Sequence, residues 1–498
     1  MINSNWFNSM FIGEVAARSL NFLWNPRMWS RRAVSSGLLL TASLYVLLPS
    51  VSRAFNVKKG PLSIEESKRL DRFTTGLLNA RNDCFLNSSL QALVPIESLT
   101  TYLNQFVEAL HSVDEGQVFE LERLAPLHAN LIKLLHELQS LIVKPQTVSA
   151  KNIVKTLEDT LRRKMSSDQN DAHEFTQILL ETLHSEYIKL QSNIEIGSFP
   201  FEGVSSNYLM CLQCNKYSQT IHSPFLMLEV AVPGNYSEKL TDLILHSQDE
   251  IIEGYSCLYC KVNMILKNEK YLNQLPEYSQ EEQSILNFLR NQILTLYIND
   301  DLPADVSFYV DHYSKNGCVT ANFKSNIIKK NAVIKEPASL IVHLSRSIFN
   351  GATITRSACR VEYEQSLNLQ RQVMINDAFE RTEPIKYELK SVVKHTGSHV
   401  QGHYQCYRKK PDLMKERNTD TIVNRSPMIK KYSQDKFDAS KIESIITGTS
   451  KRLYKRIKSL AAYPYWHISD TNVKEARTTD VLSEDKYVYI LYYEKEKP

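Results

Sequence analysis

The chain has 498 residues, 43% of them hydrophobic, with a formal charge of +4. That much apolar material excludes a disordered polymer, and so small a charge over this length gives no global pull toward an anionic partner. Of eight cysteines, four fall in two C-x-x-C pairs and the rest are scattered, which excludes a disulfide framework and points to a reducing compartment.

Residues 1–32 hold Trp6, Phe7, Phe11, Phe22, Trp24 and Trp29 among few charges, a pattern that suits a membrane surface or a short tail. Residues 33–52 carry no charge, and about twenty such residues span a bilayer. Arg27, Arg31 and Arg32 precede them; Arg53, Lys58 and Lys59 follow. The expectation is a transmembrane anchor. A cleaved signal is the first alternative, but its apolar core would begin late and no small-x-small site follows. A buried core helix is the second. Residues 53–73 read as a polar linker.

In residues 76–93, Phe85, Leu86, Leu90 and Leu93 recur at helical spacing directly after Cys84, placing the sulfur at a helix's first turn. Unpaired N–H groups and the positive helix end favour a thiolate there. The plainer alternative is a buried structural cysteine. Asn79, five residues earlier, can aim an amide at an oxygen that becomes negative during acyl transfer. The stretch resembles the cysteine box of the ubiquitin-specific proteases, a papain-like deubiquitinase family. Gly76, Leu77, Asn79, Asn82, Cys84, Asn87, Ser88, Leu90 and Gln91 match its pattern; Arg81, Asp83 and Phe85 stand where Gly, Thr and Tyr are usual. Asp83 beside the sulfur opposes ionisation.

Residues 96–161, with Leu127, Leu131, Leu134, Leu135 and Leu138, read as several packed helices. Residues 167–183 form another, in which Asp171 and Glu174 look like an N-terminal capping pair. Gln169, Asp171, Ala172, His173, Glu174 and Phe175 are similar to a family segment that touches the ubiquitin tail, which implies substrate contacts at Gln169 and Asp171 as the alternative to pure capping.

Residues 224–232 read as a strand. The pairs Cys211/Cys214 and Cys257/Cys260 flank it, each presenting two thiolates on a tight turn, and together they complete a tetrahedral four-cysteine zinc site. The family resemblance implies a fingers region in which a strand hairpin separates the pairs. With four thiolates the ion has no open position, so its role is structural. Residues 265–333 lose clear pattern and read as an insertion with some helix near 285–296. Residues 335–346 are a near-continuous apolar strand similar to a family strand, in which His343 reads as a packed residue.

In residues 387–407 His395, His399 and His403 compete as general base. A base must be held rigidly within about 3 Å of the sulfur, which favours a strand position. His403 also matches the family's G-H-Y position, so it takes that role, with His395 as the second, structural histidine. Gly402 lets backbone or substrate approach closely, and in this family the narrow channel accepts the ubiquitin Gly-Gly end. Residues 408–458 carry fifteen Lys and Arg against six acids and read as a solvated, partly disordered insertion, with anionic lipid or acidic partners as the alternative. For the residue that orients the imidazole, two alignments of residues 463–473 give Ser469 or Asp470, and a carboxylate better stabilises an imidazolium, which favours Asp470. Residues 486–494 are the closing strand.

The resemblance implies an α+β, papain-like fold with a helical thumb, a mixed palm and zinc-bearing β fingers, preceded by a transmembrane helix. The catalytic domain spans 74–495, interrupted near 265–333 and 408–460. The implied activity is hydrolysis of the isopeptide or peptide bond after ubiquitin's C-terminal glycine, with structural zinc and no catalytic cofactor. Ubiquitin, ubiquitinated proteins and a membrane are the expected partners; no nucleic acid is expected. The short, moderately apolar segment with basic flanks resembles anchors of the mitochondrial outer membrane, with the endoplasmic reticulum second and the catalytic domain facing the cytosol. The alternatives are a catalytically weak ubiquitin-binding pseudo-protease, a hydrolase of a ubiquitin-like modifier, and a nucleic-acid-binding protein that leaves both the cysteine and histidine boxes unexplained.

Overall fold

The computed structural model describes residues 69–164, 170–272, 278–349, 351, 354–375, 378–397, 402–417, 422–430 and 454–497. Residues 1–68, with the expected anchor, and also Gln169 and His399, lie outside the described residues. Among the described residues no helix is long and apolar enough to cross a membrane.

The near-continuous apolar strands exist because both faces of one mixed sheet are covered. In Val488–Lys495, Ile490 and Tyr492 enter a core shared with helices, while Leu491 and Tyr493 enter a second core on the other face. In Ser339–Ser345, Ile341 joins the first, and Leu340, Val342 and Leu344 the second. Alternation is hidden because both faces are buried. Among the described residues the sheet has twelve strands, running from Asn472–Ala476 through Tyr465–Ser469, Gly402–Lys409, Ala378–Gly397, Ser366–Ile375, Ser325–Lys335 and Gly203–Cys211 to Ile221–Phe225. Val488–Lys495 and Ser339–Ser345 branch from the long strand Ala378–Gly397. That strand therefore pairs with the closing strand on one side and the histidine strand Gly402–Lys409 on the other.

The helical layer contains Cys84–Leu93, Glu97–Ser112, Glu115–Leu124, Pro126–Gln139, Lys151–Leu161 and Ala172–Gln191. Phe106, Phe175, Phe199 and Phe201 fill its core. The carboxylate of Glu186 accepts from the N–H groups of Leu127 and His128, capping the helix Pro126–Gln139 from a neighbouring element.

Two elements differ from expectation. The strand read over 224–232 is split. Ile221–Phe225 pairs with Gly203–Cys211 at a sheet edge, where Pro224 costs no ladder bond, and Leu228–Ala231 pairs with Ser339–Ser345. The region 265–333 is not patternless. Leu258–Leu272, Gln280–Gln292 and Ala304–His312 pack Val262, Ile265, Leu286, Leu289, Val306 and Val310 into a core of their own, and residues 325–333 belong to the main sheet. Each of those helices buries only about one turn's pair of apolar residues, too few to register as a period. The described residues of the basic run include strands. Arg408 lies in the histidine strand, and Leu413–Glu416 pairs with Ile422–Asn424 and Tyr454–Arg456.

Candidate active site

Cys84 is the first residue of the helix Cys84–Leu93 and is 3% exposed. The loop before it is built by two side chains. Asn79 Oδ1 accepts from the Asp83 N–H at 2.9 Å, and Asp83 Oδ2 accepts from the Ala80 and Arg81 N–H groups. Asp83 thus stabilises the loop rather than capping the helix. Asn82, at φ +41°, takes the left-handed conformation that Asn tolerates. The Cys84 thiol points toward the Asn82 carbonyl at 3.9 Å.

The helix end does not deliver the expected thiolate. Burial raises the Cys84 thiol above its ordinary value and Asp470 adds to the rise, while backbone groups of Tyr404 and Phe85 oppose it without reversing it. The carboxylate working against ionisation is Asp470, not its sequence neighbour Asp83.

His403 is on the histidine strand, immediately before Tyr404, whose backbone bears on Cys84. Its Nε2 lies 2.8 Å from Ser469 Oγ and 3.9 Å from Asp470 Oδ2. Of the two residues the sequence offers as imidazole partner, Ser469 lies nearer to the ring nitrogen than the favoured Asp470. Ser469 ends the strand Tyr465–Ser469 and pairs with Asn472, leaving Asp470 and Thr471 as a two-residue hairpin turn with Asp470 at φ +53°. The turn carries the Asp470 carboxylate toward the cysteine helix. There Asp470 Oδ2 accepts from Asn79 Nδ2 at 3.0 Å and Oδ1 from Asn87 Nδ2 at 2.8 Å. Gly76 makes room for this turn, since a Cβ on it would lie 2.8 Å from Thr471 Cα and 2.9 Å from the Asp470 carbonyl.

The two halves of the site are tied from below by Arg408. Its guanidinium is buried and donates to Gln91 Oε1, Thr74 Oγ1 and the Leu138 carbonyl, while Gln91 Nε2 donates to the Thr75 carbonyl. Burial lowers the Arg408 pKa to about 10, which leaves the group charged at neutral pH. Asn87 and Gln91, matched in the sequence only as box letters, thus have separate mechanical tasks. Spacing offers a signal for both: Asn87 follows Cys84 by three residues and Gln91 follows Asn87 by four, the intervals of one helix face.

Asp171 caps the helix Ala172–Gln191, accepting from the His173 N–H at 2.6 Å, and its second oxygen accepts from the Tyr489 hydroxyl at 2.6 Å. His395 stacks on Tyr404 with ring centroids 4.2 Å apart, and Arg356 lies 3.1 Å from its Nδ1 and donates to its carbonyl at 2.9 Å. No sequence feature announced Arg356. Gly402 is needed because the His395 ring and the Thr396 carbonyl occupy the space a side chain would take. His343 is 5% exposed in Ser339–Ser345, as a packed strand residue.

The four cysteines converge. Cys211 Sγ is 3.8 Å from Cys260 Sγ, Cys214 Sγ is 3.8 Å from Cys257 Sγ, and all four sulfurs lie within 4.8 Å of one another. Tetrahedral zinc with bonds of about 2.3 Å requires sulfurs about 3.8 Å apart, so the donor set and spacing fit that ion. Cys211 ends the strand Gly203–Cys211, and Cys257 and Cys260 lie at the start of the helix Leu258–Leu272, so the second pair sits on a helix end rather than a strand turn. The chain between the pairs is more than a hairpin, since it also contributes Leu228–Ala231 to the main sheet.

The family model of ubiquitin carboxyl-terminal hydrolase matches residues 75–493. Ubiquitin carboxyl-terminal hydrolase 16 of Saccharomyces cerevisiae is 37% identical over 494 residues, covering 93% of this chain and 96% of that protein. Ubiquitin carboxyl-terminal hydrolase 16 of Emericella nidulans is 23% identical over 406 residues, covering 67% of this chain and 62% of that protein. Among solved structures, the SAGA Ubp8/Sgf11/Sus1/Sgf73 DUB module bound to ubiquitin aldehyde aligns at 16% identity and a TM-score of 0.48, over 93% of this chain and 76% of that one. The chain belongs to the ubiquitin carboxyl-terminal hydrolase family and is a cysteine-type deubiquitinase.

Proposed function

We propose that Cys84 is the nucleophile, His403 its general base and acid, Ser469 the residue that orients the imidazole, and Asn79 the oxyanion donor. The bond cleaved is the isopeptide or peptide bond after ubiquitin's C-terminal glycine. The observation that carries this reading is the convergence of Tyr404, Asp470 and Cys84 at the end of the cysteine helix, with His403 Nε2 on Ser469 Oγ.

If Ser469 accepts from Nε2–H, Nδ1 carries the lone pair and takes the thiol proton. Sulfur attacks the glycine carbonyl, the oxygen becomes negative, and the C–N bond breaks as the imidazolium protonates the departing amine. Water, deprotonated by the same nitrogen, then hydrolyses the thioester and sulfur recovers its proton. Asn79 Nδ2 has two hydrogens. One is held by Asp470 while Oδ1 is held by the Asp83 N–H, so the amide plane is fixed and the second hydrogen is available for the oxyanion. Asp470 in this scheme positions the oxyanion donor and, from 3.9 Å, adds negative potential beside the imidazolium.

Asp171, Gln169 and the wall formed by Gly402, His395 and Tyr404 would receive the ubiquitin tail. Cys211, Cys214, Cys257 and Cys260 would hold a structural zinc that ties a strand end to a helix start. Residues 33–52 would anchor the enzyme in the mitochondrial outer membrane, or secondarily the endoplasmic reticulum, with the catalytic domain in the cytosol; their lack of charge and basic flanks support this. Imaging a fluorescent fusion of residues 1–60 tests the anchor, and a diffuse signal contradicts it. For the chemistry, Cys84→Ala should lose hydrolysis of ubiquitin-coumarin while still binding ubiquitin; retained turnover contradicts the assignment. A wild-type protein that binds without cleaving is the pseudo-protease.

A further inference from the structure

His343 carries an unmet requirement. It lies near the middle of Ser339–Ser345, 5% exposed, and neither ring nitrogen has a hydrogen-bond partner among the described residues. Each buried polar atom left so costs about 1–3 kcal/mol. Its neighbour across the parallel pairing with Leu228–Ala231 is Glu229, which puts the carboxylate on the same face of the sheet. Above them, His173 in the first turn of Ala172–Gln191 stacks on His343 with centroids 3.7 Å and planes 10° apart. His173 Nε2 lies 2.9 Å from Glu229 Oε1, an ion-pair distance without hydrogen-bond alignment, so that nitrogen too makes no hydrogen bond. One donor atom from each of the three residues falls within 4.8 Å of the others.

We propose that His173, Glu229 and His343 form a second transition-metal site, separate from the four cysteines, for a zinc-class divalent cation. Two imidazoles and a carboxylate are the donors that zinc, cobalt and nickel accept, and three protein ligands leave a fourth position for water. Bonds of about 2.0–2.1 Å need donor atoms about 3.4 Å apart, so His173 Nε2 and Glu229 Oε1, now 2.9 Å apart, must open slightly, and the two imidazoles must swing out of their parallel stack so that both in-plane lone pairs aim at one ion. Glu229, 61% exposed, and His173, at a helix start, have the freedom to move. The site is one ring from the cleft: His343 meets Tyr489 edge to face at 4.9 Å, and the Tyr489 hydroxyl holds Asp171.

The test uses full-length protein whose cysteine cluster has been filled with zinc, titrated with cobalt. One further equivalent should bind with weak visible ligand-field bands and without the intense sulfur-to-cobalt absorption that marks exchange at the cysteines. Glu229→Gln, at an exposed position with little folding risk, and His173→Gln should each weaken that uptake at least tenfold. No uptake beyond the cysteine-bound zinc, or uptake that both variants leave unchanged, overturns the proposal.

Discussion

Replacing Ser469 by Ala removes one contact, the 2.8 Å hydrogen bond to His403 Nε2. A hydrogen bond of that kind contributes about 0.5–1.5 kcal/mol net, so kcat/KM for ubiquitin-coumarin should fall about 2- to 12-fold, mainly in kcat. Asp470→Asn acts differently. At the 3.9 Å separation from His403 Nε2, a unit charge is worth about 1 kcal/mol in water and about 4 at an effective dielectric of 20. His403 is 38% exposed, which puts the effect near the lower bound. The pH profile separates the two variants. Asp470 raises the Cys84 thiol, so removing its charge lowers that thiol and moves the alkaline limb of kcat/KM, where the thiol loses its proton, to lower pH. Ser469→Ala should leave that limb in place. Ser469→Ala at wild-type activity, together with a collapse in Asp470→Asn and an unmoved limb, would refute Ser469 as the imidazole's partner.

In Gly402→Ala the new methyl would meet the His395 ring and lie 2.6 Å from the Thr396 carbonyl, so the tail wall must shift; about 1–3 kcal/mol should be lost from stability, with kcat/KM down more than tenfold at unchanged secondary structure by circular dichroism. Arg408→Met removes the buried tie between Gln91, Thr74 and Leu138, and denaturant unfolding should show a loss of about 2–4 kcal/mol. Cys211→Ser should lower bound zinc and the thermal midpoint together; full zinc retention by mass spectrometry would contradict the four-cysteine site.

Short motifs were legible where one residue type answers one local demand. Cys84 at a helix start and His403 on a strand after Gly402 occupy the expected kinds of position, and the two C-x-x-C pairs converge although the second sits at a helix start. What stayed hidden depends on contacts between distant segments. That the strand ends at Ser469 and the next two residues turn, bringing the Asp470 carboxylate onto Asn79 and Asn87, depends on segments far apart in the chain. Asn87 and Arg408 matter through partners more than three hundred residues away, Asp470 and Gln91. Arg356 had no motif at all. The thiol's raised pKa follows first from burial by the assembled cleft, which no local feature of the cysteine box expresses.

The most direct measurement is covalent capture of the full-length protein by ubiquitin bearing a C-terminal vinyl sulfone, read by intact mass and peptide mapping. Wild type should gain one ubiquitin on Cys84, His403→Ala should react far more slowly, and Cys84→Ala should not react. An adduct that persists in Cys84→Ala, on any of the seven remaining cysteines, or a wild-type protein that the probe does not label, would contradict the assignment of Cys84 as nucleophile.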